Sequence, residues 1–130
     1  MDRILVSTSA REQMVRITQP VQELAARRGW LDGVIHLYCP HTSAAVTVNE
    51  AADPDVMRDF LSNMARLLPR DRGYLHTDGN ADAHIKSSVI GPNVQVFVEH
   101  GQLMLGSWQG LYFCEFDGPR TREVWIKFIT

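Results

Sequence analysis

Histidine, carboxylate and hydroxyl side chains concentrate in one segment of this chain, YLHTDGNADAHIKSS, from Tyr74 to Ser88. Within it, His76 and His84 flank Asp78, and Lys86 follows two residues after His84. A solvated surface loop has no need of this combination, and a buried segment tolerates so many polar groups only when each has a partner. The composition therefore predicts a binding or catalytic site in this segment.

Three of the five histidines, His41, His76 and His84, are the candidate metal ligands. Imidazole is the commonest transition-metal ligand and a frequent acid or base, so His41 and His84 are also candidate catalytic groups. We predict His84 in the first turn of a short helix capped by Asp82, where the helix dipole disfavours the charged imidazolium ring. Three neutral imidazoles with an open fourth position would form a catalytic Zn²⁺ site. The alternative is three rings that only form hydrogen bonds to the backbone at a corner of the fold.

A second group of candidates follows the strand predicted at residues 44–49. Asn49 and Glu50 lie between this strand end and a helix start, where α+β proteins often build a site, so Glu50 is a candidate catalytic base. Asp53 and Asp55 are explained by capping of the next helix and by its dipole. We therefore assign Asn49 and Glu50 to the site, and the two aspartates to the helix.

Lys86 and Arg120 are the candidate phosphate ligands. Lys86 is one of only two lysines in the chain and follows a predicted helix start, which favours anions. Arg120 can hold a phosphate with its fork of donors. The alternatives are a solvated helix face for Lys86 and a loop brace between Arg120 and Asp117. The other candidate substrate contacts are Asn49, Asp78, Asn80, Ser87, Trp108, Gln109 and Asp117.

Length and composition indicate one domain that spans residues 1–130. The formal net charge is −2 and the basic residues are scattered, so neither a nucleic acid nor an acidic membrane surface is an expected partner. The chain shows no signal-peptide pattern and no apolar run of membrane-spanning length. Cys39 and Cys114 are expected to be free, buried thiols, which predicts a cytoplasmic protein.

The pattern of apolar residues predicts strands interrupted by two longer helices. Pro20 is expected at the first position of one helix, which ends where Gly29 adopts the left-handed conformation. Asp53 is expected to cap the second helix and Pro69 to end it. The first two strands are expected to form a hairpin. Strands are predicted at residues 3–8, 14–18, 33–39, 44–49, 94–98, 102–105, 108–116 and 122–129. The expected fold class is α+β, an antiparallel β-sandwich flanked by helices.

Four motifs in order resemble those of the YjbQ or UPF0047 family. They are HTSAAVTVNEAADPDV (His41–Val56), YLHTDGNADAHIKSS (Tyr74–Ser88), GSWQGLYF (Gly106–Phe113) and EFDGPR (Glu115–Arg120). The chain departs from the family pattern at Ser107, where GTWQ is usual, and at Ala51, where NENADPD is usual. The resemblance spans almost the whole chain, and it implies a β-sandwich assembled as a homotrimer.

The resemblance also implies a secondary thiamine-phosphate synthase activity, which joins a hydroxymethylpyrimidine diphosphate to a thiazole phosphate. Such a transferase needs a divalent metal, with oxygen ligands for Mg²⁺ such as Asp78, Glu50 and Asp117, and an aromatic shelf such as Trp108. A histidine-lined site suits Zn²⁺ better than Mg²⁺. One alternative is a metal-dependent hydrolase of a small phosphorylated or acyl metabolite, with Glu50 as base. Another is a non-enzymatic, trimeric metal- or metabolite-binding protein.

Overall fold

The computed structural model describes all residues, Met1 to Thr130, as eight strands and three helices. The strands are β1 (Asp2–Ser7), β2 (Gln13–Arg16), β3 (Gly33–Tyr38), β4 (Ala44–Glu50), β5 (Asn93–Glu99), β6 (Gln102–Leu103), β7 (Gln109–Glu115) and β8 (Thr121–Ile129). The helices are α1 (Thr18–Arg28), α2 (Pro54–Leu67) and α3 (Ala81–Ile90). The predicted mixed α+β class is therefore confirmed.

The strands form two antiparallel sheets. One has five strands in the order β1-β8-β3-β5-β6, and the other has three in the order β2-β7-β4. β1 pairs with β8 and β2 pairs with β7, so the predicted hairpin of the first two strands is wrong. Thr8 turns the chain from one sheet to the other, because its amide donates to the Arg120 carbonyl at 2.9 Å and its hydroxyl donates to Glu115 at 3.0 Å.

The main hydrophobic core lies between the two sheets. In β8, Val124 and Ile126 point inward and are almost fully buried, as the alternating sequence predicts. Helix α1 adds Val21 and Leu24 to the same core. Helices α2 and α3 cover the other face of the three-stranded sheet, where a smaller cluster forms around Phe116. The outer face of the five-stranded sheet stays open.

The helix ends follow local signals in most cases. Gly29 has φ 67° and closes α1, and the Asp53 side chain accepts a hydrogen bond from the Asp55 amide to cap α2, as predicted. Pro20 occupies the third helical position rather than the first, which costs nothing because none of the first four amides has an intrahelical acceptor. The prediction that Asp82 caps α3 is wrong, because Asn80 is the cap residue and Asp82 is buried.

Both cysteines are free and buried, as predicted. No helix is both long enough and apolar enough to cross a membrane.

Candidate functional site

His76 and His84 form a pair of imidazoles at the start of α3. Their ring centroids lie 5.2 Å apart, and the ring planes are inclined by 68°. His84 projects from the first turn of α3, whereas His76 comes from the loop that precedes the helix. The structure therefore brings together two of the three predicted histidines.

The tautomer of each ring follows from its partners. His84 Nδ1 lies 2.8 Å from the Thr42 carbonyl oxygen. A carbonyl only accepts, so Nδ1 carries the proton and Nε2 keeps a free lone pair in the neutral ring. His76 Nε2 lies 3.0 Å from Asn80 Oδ1, and Asn80 Nδ2 donates to Asp117 Oδ2 at 2.8 Å. That second bond fixes the orientation of the Asn80 amide, so His76 Nε2 is the donor and its Nδ1 keeps the free lone pair.

Asp117 holds this arrangement in place from the end of β7. Arg120 Nη2 donates to Asp117 Oδ2 at 2.9 Å, and Arg120 Nε donates to the Asp117 carbonyl. The guanidinium is half exposed, but two of its donors already brace the loop. Gly118 in the same turn has no room for a side chain, because an added Cβ would collide with the Ala10 carbonyl oxygen. Arg120 is therefore a loop brace, as the alternative prediction had it. It holds Asp117, which positions Asn80 and, through Asn80, His76.

His41 does not join the pair. Its Nε2 lies 3.0 Å from the backbone nitrogen of Glu123 and 3.1 Å from the Glu123 carbonyl oxygen, so β8 engages this nitrogen in either tautomer. Burial and the nearby Arg122 guanidinium lower the pKa of His41, which keeps the ring neutral. No group of three or more potential ligand side chains in the structure is placed to hold a metal ion. The predicted three-histidine centre is thus not assembled within one chain.

Lys86 and Ser87 are committed to the packing of α3. Lys86 is fully buried, and its Nζ lies 2.7 Å from Asp82 and 2.9 Å from Glu12. The Ser87 hydroxyl donates to the Ala44 carbonyl at 2.6 Å. The prediction that Lys86 anchors a phosphate is wrong, because its partner Glu12 arrives from a distant part of the chain and closes the lysine off from solvent.

The predicted Glu50 group lies at the other end of the three-stranded sheet. Glu50 pairs with Gln109, whereas the opposite end of the same ladder, next to His41 and Asp117, pairs Ala44 with Glu115. Six residues of strand separate the two ends by about 20 Å. Glu50 Oε2 accepts from the Asp53 amide at 3.0 Å and so supports the start of α2. It does not share a site with the imidazole pair of the same chain, which corrects its assignment as a base there.

The other members of the Glu50 group lie with it. The Asn49 side chain accepts from the Glu50 amide, and the Gln109 side chain accepts from the Gly106 amide. Trp108 is 66% exposed and so does not fill the core. Substrate contact by these residues stays a prediction.

Two clefts open on either side of the imidazole pair. The larger, about 490 Å³, is lined by His41 and His84 together with Tyr38, Trp125 and hydroxyl side chains. The Cys39 thiol also lines it, but burial raises its pKa to about 11, so it stays protonated and is a weak nucleophile near neutral pH. The smaller cleft, about 250 Å³, is lined by His76 and by the loop between α2 and α3, residues 70–79.

Several residues that shape these clefts were not predicted from the sequence. Tyr38 and Trp125 are cross-strand neighbours, and their rings stack with centroids 5.9 Å apart at the rim of the larger cleft. Arg70 and Arg72 line the smaller cleft. The alternating charges of RDRG after Pro69 were the available signal for the two arginines.

The chain is similar along almost its whole length to one group of known proteins. The family model described as UPF0047 protein YjbQ-like matches residues 2–130. UPF0047 protein YugU of Bacillus subtilis is 46% identical over 125 residues, which cover 95% of each chain. A crystal structure from Clostridium acetobutylicum, described as an uncharacterized conserved protein of the YjbQ/UPF0047 family, is 45% identical with a TM-score of 0.96 and covers 99% of this chain and 100% of its own. A conserved hypothetical protein of Thermus thermophilus is 40% identical with a TM-score of 0.93, over 99% of this chain and 100% of its own.

The names of these relatives correct the expected activity. The family model and the Bacillus subtilis relative carry only the family name, and none of these proteins is named as a thiamine-phosphate synthase or a hydrolase. The synthase activity and the hydrolase alternative offered with it are therefore wrong as assignments for this chain.

Proposed function

The chain belongs to the UPF0047 (YjbQ-like) family, and we propose that it is an acid–base enzyme that transfers protons through His76 and His84. The observation that carries the proposal is the pair itself. Each ring has one nitrogen fixed by a protein oxygen acceptor, so the other nitrogen keeps a lone pair. A neutral imidazole oriented in this way is the usual general base, and it becomes a general acid once protonated.

The substrate is a small molecule that occupies the larger cleft beside His84. A volume of about 490 Å³ is within the range of small-molecule sites. Thr42 and Ser88 line the same cleft and offer hydroxyl groups to a bound molecule. His84 is therefore the group that meets the reacting atom, and His76 is its neighbour on the side of the second cleft.

A divalent metal is not needed for this proposal. The pair supplies two imidazoles, and no third carboxylate, thiolate or imidazole completes a site with them. The set fits neither the three-ligand geometry of catalytic Zn²⁺ nor the oxygen-rich environment of Mg²⁺. We therefore assign no step to a metal, and a Zn²⁺ or Mg²⁺ site made of His41, His76 and His84 is not supported within one chain.

Substitution of His84 tests the proposal. We expect His84→Gln to lower turnover by about 10²- to 10⁴-fold, the usual contribution of a general acid or base, without loss of thermal stability. The assay incubates the protein in D₂O with a panel of small polar metabolites and follows deuterium uptake or product formation by mass spectrometry. His36→Gln is the control, because His36 lies on the open face of the five-stranded sheet. Equal activity in the two variants would contradict the role of His84.

The tautomers can be checked without a substrate. In ¹⁵N-histidine spectra, we expect the proton of neutral His84 on Nδ1 and that of neutral His76 on Nε2. The reverse assignment for His84 would remove its free Nε2 and with it the proposed base.

The trimer implied by the family resemblance is also a proposal. The open face of the five-stranded sheet leaves Leu5 72% and Phe97 63% exposed, and apolar surface of this kind favours association. We expect sedimentation equilibrium at micromolar concentration to give three times the mass of one chain. The mass of a single chain would show that this assembly does not form.

A further inference from the structure

We propose that the smaller cleft binds the phosphate group of a small phosphomonoester through Arg70 and Arg72, next to His76. The proposal deepens the proposed function, on which it rests, because it names the class of substrate that the imidazole pair would act on. It also moves the predicted phosphate contacts away from Lys86, which is buried, and from Arg120, which braces the Asp117 turn, to a cleft lined by Arg70 and Arg72.

The charges in the cleft favour an anion. Its lining contains two guanidinium groups, from Arg70 and Arg72, and one carboxylate, from Asp71, while the exposed Asp78 carboxylate lies outside the lining, 3.6 Å from His76 Nε2. Arg70 uses only Nε within the chain, donating to the Gly79 carbonyl at 3.1 Å, which leaves its terminal nitrogens free. Arg72 forms no ion pair or hydrogen bond within the chain. One guanidinium group can donate two parallel hydrogen bonds to two oxygens of the same phosphate. The free donors of two arginines therefore suit a phosphate group, which has three terminal oxygens, better than a ligand carboxylate, which has two.

The loop backbone holds Arg70 at the cleft. Tyr74 donates its hydroxyl to the Pro69 carbonyl at 2.6 Å, which folds the loop back on the end of α2. Gly79 has φ 82°, and a Cβ built there would lie 3.8 Å from Arg70 Nη2. The guanidinium of Arg70 therefore lies against the turn that leads into α3.

The first amides of α3 add neutral donors on the same side. The Asn80 carbonyl accepts from the amides of Ala83 and His84, whereas the amides of Ala81 and Asp82 have no acceptor in the chain. Ala81 lines the cleft. The Asp82 carboxylate is buried against Arg11 and Lys86, so it does not oppose an anion there. These amides supplement the two arginines.

The position of His76 connects the cleft to the proposed chemistry. His76 lines the phosphate cleft, and its ring lies 5.2 Å from that of His84, which lines the larger cleft. A phosphate held beside His76 leaves the remainder of a small molecule directed towards His84. Phosphate binding therefore orients the substrate, and the proton transfer takes place at the neighbouring ring, His84.

Titration with inorganic phosphate and then with glycerol 3-phosphate, followed by ¹H–¹⁵N NMR, tests the cleft directly. We expect millimolar ligand to shift the amides of Ala81 and Asp82 in the wild type. Arg70→Gln and Arg72→Gln should each weaken binding about 10- to 100-fold, the range for hydrogen bonds to a charged group. Arg66→Gln, an exposed arginine near the end of α2, is the matched control and should bind like the wild type.

Further outcomes decide between the alternatives. His84→Gln should bind phosphate normally, so failure of the acid–base proposal with intact phosphate binding would leave this cleft assignment standing. Absence of shifts at Ala81 and Asp82, or equal affinity in the Arg70, Arg72 and Arg66 variants, would overturn it. Tighter binding of a single-stranded oligonucleotide, through the same two arginines, would show that the phosphates belong to a nucleic acid and would overturn the small-molecule assignment.

Discussion

Replacement of Glu115 by glutamine is expected to lower the free energy of unfolding by about 3 to 5 kcal/mol, the usual cost of removing one partner of a buried ion pair. Glu115 is fully buried and Arg122 nearly so. Arg122 Nε donates to Glu115 Oε2 at 2.8 Å, and Arg122 Nη2 donates to Oε1. In the variant, the guanidinium keeps only Ser43 and a neutral amide as partners, and it remains buried. Urea denaturation at neutral pH measures the loss.

The same pair makes stability depend on acid pH. Burial alone would raise the pKa of Glu115, but hydrogen bonds from Arg122 and the Asp117 amide, and the charge of Arg122, outweigh burial and lower it. The contribution is complete above the ordinary pKa of 4.5 and is lost as the pH falls through the lower value of the folded state. We therefore expect the wild type to lose stability below about pH 4.5 and Glu115→Gln to lose less over the same range.

Glu99→Gln is the control for both measurements, since Glu99 also lies on a strand but is exposed. A Glu115→Gln protein with the stability of this control at pH 7 would contradict the importance of the buried pair.

The helix ends and the inward faces of the strands could be predicted because their causes are local. The left-handed Gly29 and the Asp53 cap act within one turn of their helices, and the alternation of Val124 and Ile126 is a property of one strand. Strand pairing is not local. The sequence between β1 and β2 resembles a hairpin turn, but hydrogen bonds from Thr8 to residues more than 100 positions away direct the chain into the other sheet.

Only the part of the candidate site that lies within one short segment could be predicted from the sequence, because the rest depends on strand pairing between distant segments. His76 and His84 belong to one short segment, so their proximity could be expected. His41 and Glu50 come from the two flanks of β4, and only the ladder with β7 shows that a whole strand length separates them. Burial of Lys86 depends on Glu12, which is 74 residues away, so no pattern near the lysine shows that it is unavailable to a ligand.

Helix α3 depends on a second buried charge cluster, and we expect Asp82→Asn to lower the free energy of unfolding by about 3 to 5 kcal/mol. Asp82 accepts hydrogen bonds from Lys86 at 2.7 Å and from Arg11 at 3.0 Å. Burial alone would raise its pKa, but these two cations lower it, so the group is a carboxylate at neutral pH. The neutral variant leaves only Glu12 to compensate both cations. Asp59→Asn, on the exposed face of α2, is the control for urea denaturation.

A double-mutant cycle with Lys86→Met separates a structural lysine from a ligand-binding one. Lys86→Met removes the buried cation but leaves Asp82 paired with Arg11, so it should cost less than Asp82→Asn. The double variant removes both charges from the interior and should lose less stability than the sum of the two single losses, because groups in contact are coupled. Phosphate affinity should be unchanged in Lys86→Met, since the lysine lies outside the cleft of Arg70 and Arg72. Additive losses would show that Asp82 and Lys86 do not act together, and weakened phosphate binding would return the lysine to the binding site.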